Sequence, residues 1–92
     1  MRNKIVAGNW KMNTLVKEGT DLAKSISQEL EKITIADNLK VIIAPPFTHL
    51  ETISKIVKDS KLLISAQNCA TKEEGAYTGE VSVKMIKDVG CK

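Results

Sequence analysis

The segment Asn9-Trp10-Lys11-Met12-Asn13 sets two amides around one primary ammonium, directly after a short apolar run. A lysine in that position can neutralise a phosphate or a developing oxyanion, and an asparagine can orient it by hydrogen bonding. The competing reading is a loop whose asparagines serve turns and whose lysine is solvated. Pro45-Pro46-Phe47-Thr48 has no titratable group and reads as a rigid connector leading into a helix cap. His49 is the sole imidazole. Lying in the first turn of a helix, it is expected at the surface and outside any catalytic role. The stretch from Gln67 to Glu80 is longer than a simple connection needs, and loops of that length are often functional. Its tip, Gly75-Ala76-Tyr77-Thr78-Gly79, brackets a tyrosine with glycines, and docking onto another surface would order it.

The carboxylates do not pair for acid–base work. Glu73 and Glu74 are neighbours on a loop, and Glu29 and Glu31 sit near a helix end. No Ser-His-Asp order can be assembled around His49, the one histidine, and no H-E-x-x-H occurs. Gly8 and Gly19 are too far apart to form a phosphate-cradling loop. The residues alone thus define a candidate anion site without a general base to use it.

The elements that must hold these loops alternate in period. Lys4–Gly8 is brief, apolar and rich in β-branched residues. After Thr14, Leu15, Val16, Gly19, Leu22, Ala23, Ile26, Leu30 and Ile33 recur at three- and four-residue spacings, one face of a helix. Thr14 is the expected N-cap, and the stretch 34–38 ends the pattern. Val41-Ile42-Ile43-Ala44 suits a strand buried on both faces, stopped by Pro45-Pro46. Thr48-x-x-Glu51 matches a capping box ahead of a helical stripe of Leu50, Ile53, Ile56 and Val57. Leu62–Ala66 reads as a third strand. Ser82 is expected to cap a short helix, Val83–Val89, whose apolar residues are Val83, Met85, Ile86 and Val89. Gly90 then falls where a left-handed residue belongs. The order β-α-β-α-β-α with such apolar strands predicts a parallel sheet covered by helices. Three parallel strands leave two apolar edges open, which native proteins usually avoid. Ligands of such folds bind at the C-terminal ends of the strands, where the candidate loops lie.

Ninety-two residues, 42% hydrophobic and 27% charged, allow one domain with little stability to spare. One Trp, one Tyr and one Phe leave the core to aliphatic residues. No apolar run approaches the ~20 residues that span a bilayer, so no membrane partner is expected. The apolar stretch after Met1-Arg2-Asn3-Lys4 is too short for a secretory leader. Cys69 and Cys91 stand far apart with no C-x-x-C, which fits reduced thiols in a cytoplasmic protein and not a zinc site or disulfide framework. The net charge of +3 comes from dispersed lysines with Arg2 as the one arginine. That is no footprint for nucleic acid, though it favours small anions near a site.

Five blocks of this sequence are similar to one family, in family order. They are Ala7-Gly8-Asn9-Trp10-Lys11-Met12-Asn13, Ala44-Pro45-Pro46-Phe47, Ala66-Gln67-Asn68, Gly75–Ser82 and Met85–Gly90. Together they resemble triosephosphate isomerase over essentially the whole chain. The resemblance implies an α/β fold of parallel units from an eightfold (β/α)8 TIM barrel. Residues 1–92 would form the N-terminal part of that single domain, its first three units. The length agrees, because three-eighths of a roughly 250-residue barrel is about 94 residues.

The resemblance also implies a function. Family members interconvert dihydroxyacetone phosphate and glyceraldehyde 3-phosphate in glycolysis and gluconeogenesis, by proton transfer through an enediolate, without cofactor or metal. Asn9 and Lys11 match the substrate-binding pair, with Lys11 near the phosphate and the developing charge. The Gln67–Glu80 loop matches the arm that enters the second subunit of a homodimer. Thr78 would approach the Asn9–Lys11 loop of that subunit, with Met12, Asn13, Gln67 and Glu80 at the same interface. The family's chemistry uses a glutamate base, a neutral histidine electrophile and a closing loop. None has a counterpart in residues 1–92, and His49 does not match the histidine's motif. The chain alone is therefore expected to be inactive. Two alternatives remain: a non-enzymatic barrel piece that binds anions or self-associates through open strands, and a flavodoxin-like half-domain binding a nucleotide. The latter lacks a glycine- or hydroxyl-rich first loop.

Overall fold

The computed structural model describes every residue except Met1, Ile35 and Lys92. The last residue of the expected unit and part of the stretch 34–38 therefore lie outside the described residues. Strand β1 (Lys4–Asn9) leads to helix α1 (Val16–Glu31), β2 (Leu39–Ala44), helix α2 (Leu50–Ile56), β3 (Leu62–Ile64) and helix α3 (Val83–Asp88). A single 3-10 turn, Phe47–His49, precedes α2. The sheet is parallel in the order β1-β2-β3. Val6 pairs with Val41, which pairs with Leu62, and Gly8, Ile43 and Ile64 form the next such row.

Alternation along the strands turns Val41, Ile43, Leu62 and Ile64 toward one face. There they meet Ala23 and Leu30 of α1, Leu50 and Ile53 of α2, Val57, and Ile86 and Cys91 at α3. This is the core. The opposite face, with Ile5, Ala7, Ile42 and Leu63, is not covered by any helix among the described residues. The expected two-sided burial of Val41–Ala44 is therefore only half realised: Ile43 is buried and Ile42 stays partly open. β1 is exposed along its whole length, with Ile5 63% and Val6 58% accessible.

The helices depart from expectation where the apolar stripe is wider than the surface available to cover it. On α1 only Gly19, Ala23, Ser27 and Leu30 are buried, while Leu22, and Leu15 and Ile33 just outside its two ends, face solvent. On α2 Ile56 is exposed, and on α3 Val83 and Met85 are exposed while Ile86 is buried. β3 ends at Ile64, two residues early. Ser65 N–H still reaches Ile43 O at 2.9 Å, but its hydroxyl turns to the Ala66 carbonyl and the ladder stops.

Capping follows the sequence at one helix and departs from it at two. Ser82 Oγ accepts from Met85 N–H at 3.1 Å, and Gly90 adopts φ +114, both as expected. Thr14 is not the cap of α1. The residue at that position is Leu15, whose N–H is accepted by the Glu18 carboxylate at 3.0 Å. Thr48 does not cap α2 either, because the 3-10 turn takes up the first turn and leaves His49 in the cap position. Its hydroxyl bonds His49 Nδ1, and Glu51 pairs with Lys55.

Candidate functional site

Asn9 is the last residue of β1, in register with Ala44 of β2, so the sheet delivers it to the C-terminal edge. Trp10 N–H extends the ladder to Ala44 O at 3.1 Å. The chain then turns sharply. Asn9 Oδ1 accepts from Lys11 N–H at 2.9 Å, and Lys11 takes φ +58. Asn13 Nδ2 closes the turn by donating to Trp10 O at 2.7 Å. Thr14 follows at φ +72, a conformation that costs a β-branched residue on the order of 1–2 kcal/mol. A turn with two left-handed non-glycine residues needs external support, since such strain persists only where surrounding structure over-determines it.

That support comes from two other loops. The Gln67 side-chain amide donates to both Lys11 O and Ala44 O, each at 2.8 Å. It thereby joins the ends of all three strands in one small cluster. His49 supplies the other support. It was expected at the surface, yet it is only 2% accessible. The 3-10 turn places it inward, with its N–H bonded to Pro46 O at 3.0 Å. Its Nε2 lies 2.9 Å from Thr14 Oγ1 and its Nδ1 lies 2.9 Å from Thr48 Oγ1. The ring meets Trp10 edge to face at a centroid distance of 6.4 Å.

The Lys11 side chain is exposed, and the ion pairs among the described residues do not involve it. Those pairs run along helix surfaces as Lys17–Asp21, Lys32–Glu29 and Lys55–Glu51. An ammonium with no internal partner, on a backbone held at the C-terminal edge of a parallel sheet, is equipped to receive an anion. Asn9 is only half available for that task in this arrangement: its Oδ1 is used by the turn, which leaves the Nδ2 donors. Among the described residues, no group of three or more His, Cys, Asp or Glu side chains is placed to hold a metal ion. No helix among them is long and apolar enough to cross a membrane.

The long loop lies further out. Ala70 N–H to Val81 O at 2.7 Å closes its base, and Glu80 N–H to Tyr77 O at 3.0 Å forms a turn near its tip. Residues 71–80 are all exposed. The Tyr77 ring folds back over Gly75, whose φ of +138 and lack of a Cβ let the two approach. The tip thus packs on itself within the chain. Thr78 and Glu80 are on this loop, Met12 is 96% accessible on the first turn, and Gln67 is committed to the cluster described above.

Of the residues singled out in the sequence, the fold gathers Asn9, Lys11, Asn13 and Gln67, and leaves Met12, Thr78 and Glu80 on open surface. The sequence points His49 to the surface and Thr14 and Thr48 to helix caps, and the fold uses all three to brace the turn. A signal existed in Gly19. A glycine inside an apolar helical stripe marks a place where something large approaches, and a Cβ there would stand 2.5 Å from His49 Cδ2.

Comparison with known proteins bears on the family of the chain. The family model described as triosephosphate isomerase matches residues 4–92. Curated triosephosphate isomerases from Bacteroides fragilis and Porphyromonas gingivalis are each 48% identical to the chain over 92 residues, covering all of it. That from Chlorobium phaeobacteroides is 47% identical over 91 residues. The chain spans 36% of the length of each of these relatives. Parallel strands alternating with helices, a G-N-W-K-M-N turn at the end of the first strand and a family match across nearly every residue lead to one conclusion: the chain belongs to the triosephosphate isomerase family.

Proposed function

We propose that residues 1–92 supply the first three β/α units of a triosephosphate isomerase, with Asn9 and Lys11 as its substrate-binding pair. The observation that carries this reading is the Lys11 ammonium, without an ion pair among the described residues, on a turn braced by Asn9 Oδ1 and Gln67 at the C-terminal edge of the sheet. There the ammonium would attract the phosphate of dihydroxyacetone phosphate or glyceraldehyde 3-phosphate. It would also stabilise the negative charge of the enediolate as the proton moves between carbons. The Asn9 amide would orient the same oxygens through Nδ2. Residues 1–92 contain no match to the family's glutamate base or histidine electrophile, so the chain alone is inactive in this reading. The Gln67–Glu80 loop, with Met12 and Asn13, would form the homodimer contact, through Gln67, Thr78 and Glu80. The setting is the cytoplasm.

A chimera tests the assignment. Residues 1–92 would replace the matching segment of the Bacteroides fragilis relative, and interconversion of the two triose phosphates would be measured. The chimera should turn over, and Lys11→Met should lower kcat/KM by about a hundredfold or more. Full activity in Lys11→Met would end the proposed role. Isomerase activity in the purified 92-residue chain, free of host enzyme, would end the proposal that it is inactive. A second reading is favoured by the exposure of β1 along its length: the chain alone acts as a self-associating or anion-binding piece. Concentration-dependent sedimentation of the chain, together with a chimera that fails to turn over, is the outcome that supports it.

A further inference from the structure

His49 is fully enclosed, polar and outside the proposed substrate pair, yet both its ring nitrogens are engaged. Thr14 Oγ1 donates to the Asn13 carbonyl, so its single proton is taken and it accepts from His49 Nε2–H. Nδ1 then accepts from the Thr48 hydroxyl. Hydrogen-bond complementarity thus assigns the Nε2–H tautomer. The imidazole occupies space that only a glycine at position 19 leaves open, because a Cβ there would also stand 3.1 Å from Thr14 Oγ1. One ring therefore contacts α1, the 3-10 turn and the end of the Lys11 turn together.

We propose that His49 is a positioning residue for the Asn9–Lys11 turn, acting through the Thr14 hydroxyl. This rests on the reading that Asn9 and Lys11 hold a triose phosphate. The turn has three anchors. Its start is on the β1–β2 ladder through Trp10 N–H, its middle is on Gln67 through Lys11 O, and its end is Thr14. Thr14 is the anchor whose backbone is least favourable on its own account, a β-branched residue at φ +72. The bond to Nε2 offsets that cost and fixes the direction in which the chain leaves the turn for α1. Without it Thr14 relaxes toward the right-handed or extended region, the carbonyl of Asn13 rotates, and the Asn13–Trp10 closure that shapes the Lys11 turn is lost. Trp10 packs in a T-shaped contact with the same ring and is the chain's sole tryptophan. Its fluorescence therefore reports the turn directly.

The experiment uses the 92-residue chain and its Thr14→Val, Thr14→Ser, His49→Phe and Thr14→Val/His49→Phe variants. Solvent exchange of the Lys11 amide is compared by NMR with that of the β2 amides, alongside Trp10 emission. Thr14→Val should speed Lys11 exchange about fivefold while β2 stays protected. Thr14→Ser, which keeps the hydroxyl, should stay near the parent chain in exchange and emission. At the Lys11 amide the double variant should exchange no faster than Thr14→Val alone, because the Thr14–His49 bond is already lost there and the Thr48–His49 bond, which His49→Phe also removes, lies outside the turn. Unchanged exchange in Thr14→Val, equal acceleration in Thr14→Ser, or additive effects in the double variant would each overturn the proposal. If His49→Phe fails to fold, shown by lost β2 protection, the Thr14→Val and Thr14→Ser pair decides the matter. No phosphate enters these measurements, so they fail or succeed separately from the substrate assignment.

Discussion

Two thiols of the same chemical type lie in opposite surroundings. Cys69 is exposed on the long loop, whereas Cys91 is in the core beside Ser54. Burial pushes the Cys91 thiol above its ordinary value of 9.0, and the Ser54 hydroxyl offsets only part of that shift. A raised thiol has less thiolate at any given pH, and thiolate is the form that reacts. Alkylation of the folded chain near neutral pH should therefore modify Cys69 at least about tenfold faster than Cys91. The Cys91 rate should keep climbing as pH passes 9.0. Peptide mass mapping over time and pH checks both, and equal rates in the folded chain would contradict the burial argument. Gly19 offers a second test at this scale. Its added methyl in Gly19→Ala would meet His49 Cδ2 at 2.5 Å, with backbone on one side and a packed ring on the other. Overpacking of this kind costs about 1–3 kcal/mol. The denaturation midpoint should fall, and Trp10 emission should shift as the ring is displaced.

At the scale of elements, short helices depend on their ends. α3 has only six residues, below the length at which a helix sustains itself, and it is held by Ile86 in the core and by the Ser82 cap. Ser82→Ala should cost about 1 kcal/mol by leaving the Met85 amide without its partner. Urea denaturation should show that loss, and Ser82→Asp should recover most of it; an unchanged midpoint in Ser82→Ala would show that packing alone sustains α3. α2 presents the contrast. Thr48 and Glu51 have the spacing of a capping box, but a 3-10 turn precedes the helix and both side chains are used elsewhere. The spacing was legible and its use was not, because the imidazole competes for the Thr48 hydroxyl. Only packing brings that imidazole into place.

The whole molecule is an open layer. Its radius of gyration is 13.9 Å, above the roughly 12 Å of a compact chain of this length. The extents of 46 × 34 × 21 Å describe a slab. Helices cover one face of the sheet, and β1 and β3 are both edges. An apolar edge with unpaired N–H and C=O groups templates further pairing. The chain should therefore show a sedimentation-average mass that rises with concentration. Val6→Lys, on the exposed β1, should shift it toward the monomer without lowering the denaturation midpoint. Concentration-independent monomer in the parent chain would refute this.

What the sequence determined by itself is what depends on local period and residue chemistry. The three strands and three helices follow from apolar spacing. The Ser82 cap and the left-handed Gly90 follow from side-chain and backbone stereochemistry. The polar loop that carries Lys11 after β1 follows from amides and an ammonium after an apolar run, and the family resemblance is carried by motifs written in consecutive residues. The tertiary structure decided everything that depends on a partner distant in the chain. His49 is buried because residues 35 positions apart supply a hydroxyl to its ring and Gly19 leaves room for it. Gln67 is a brace because folding brings its amide to the carbonyls of Lys11 and Ala44. Leu22, Ile33 and Val6 are exposed because burial requires a second surface opposite, and apolar spacing specifies a face without specifying what covers it.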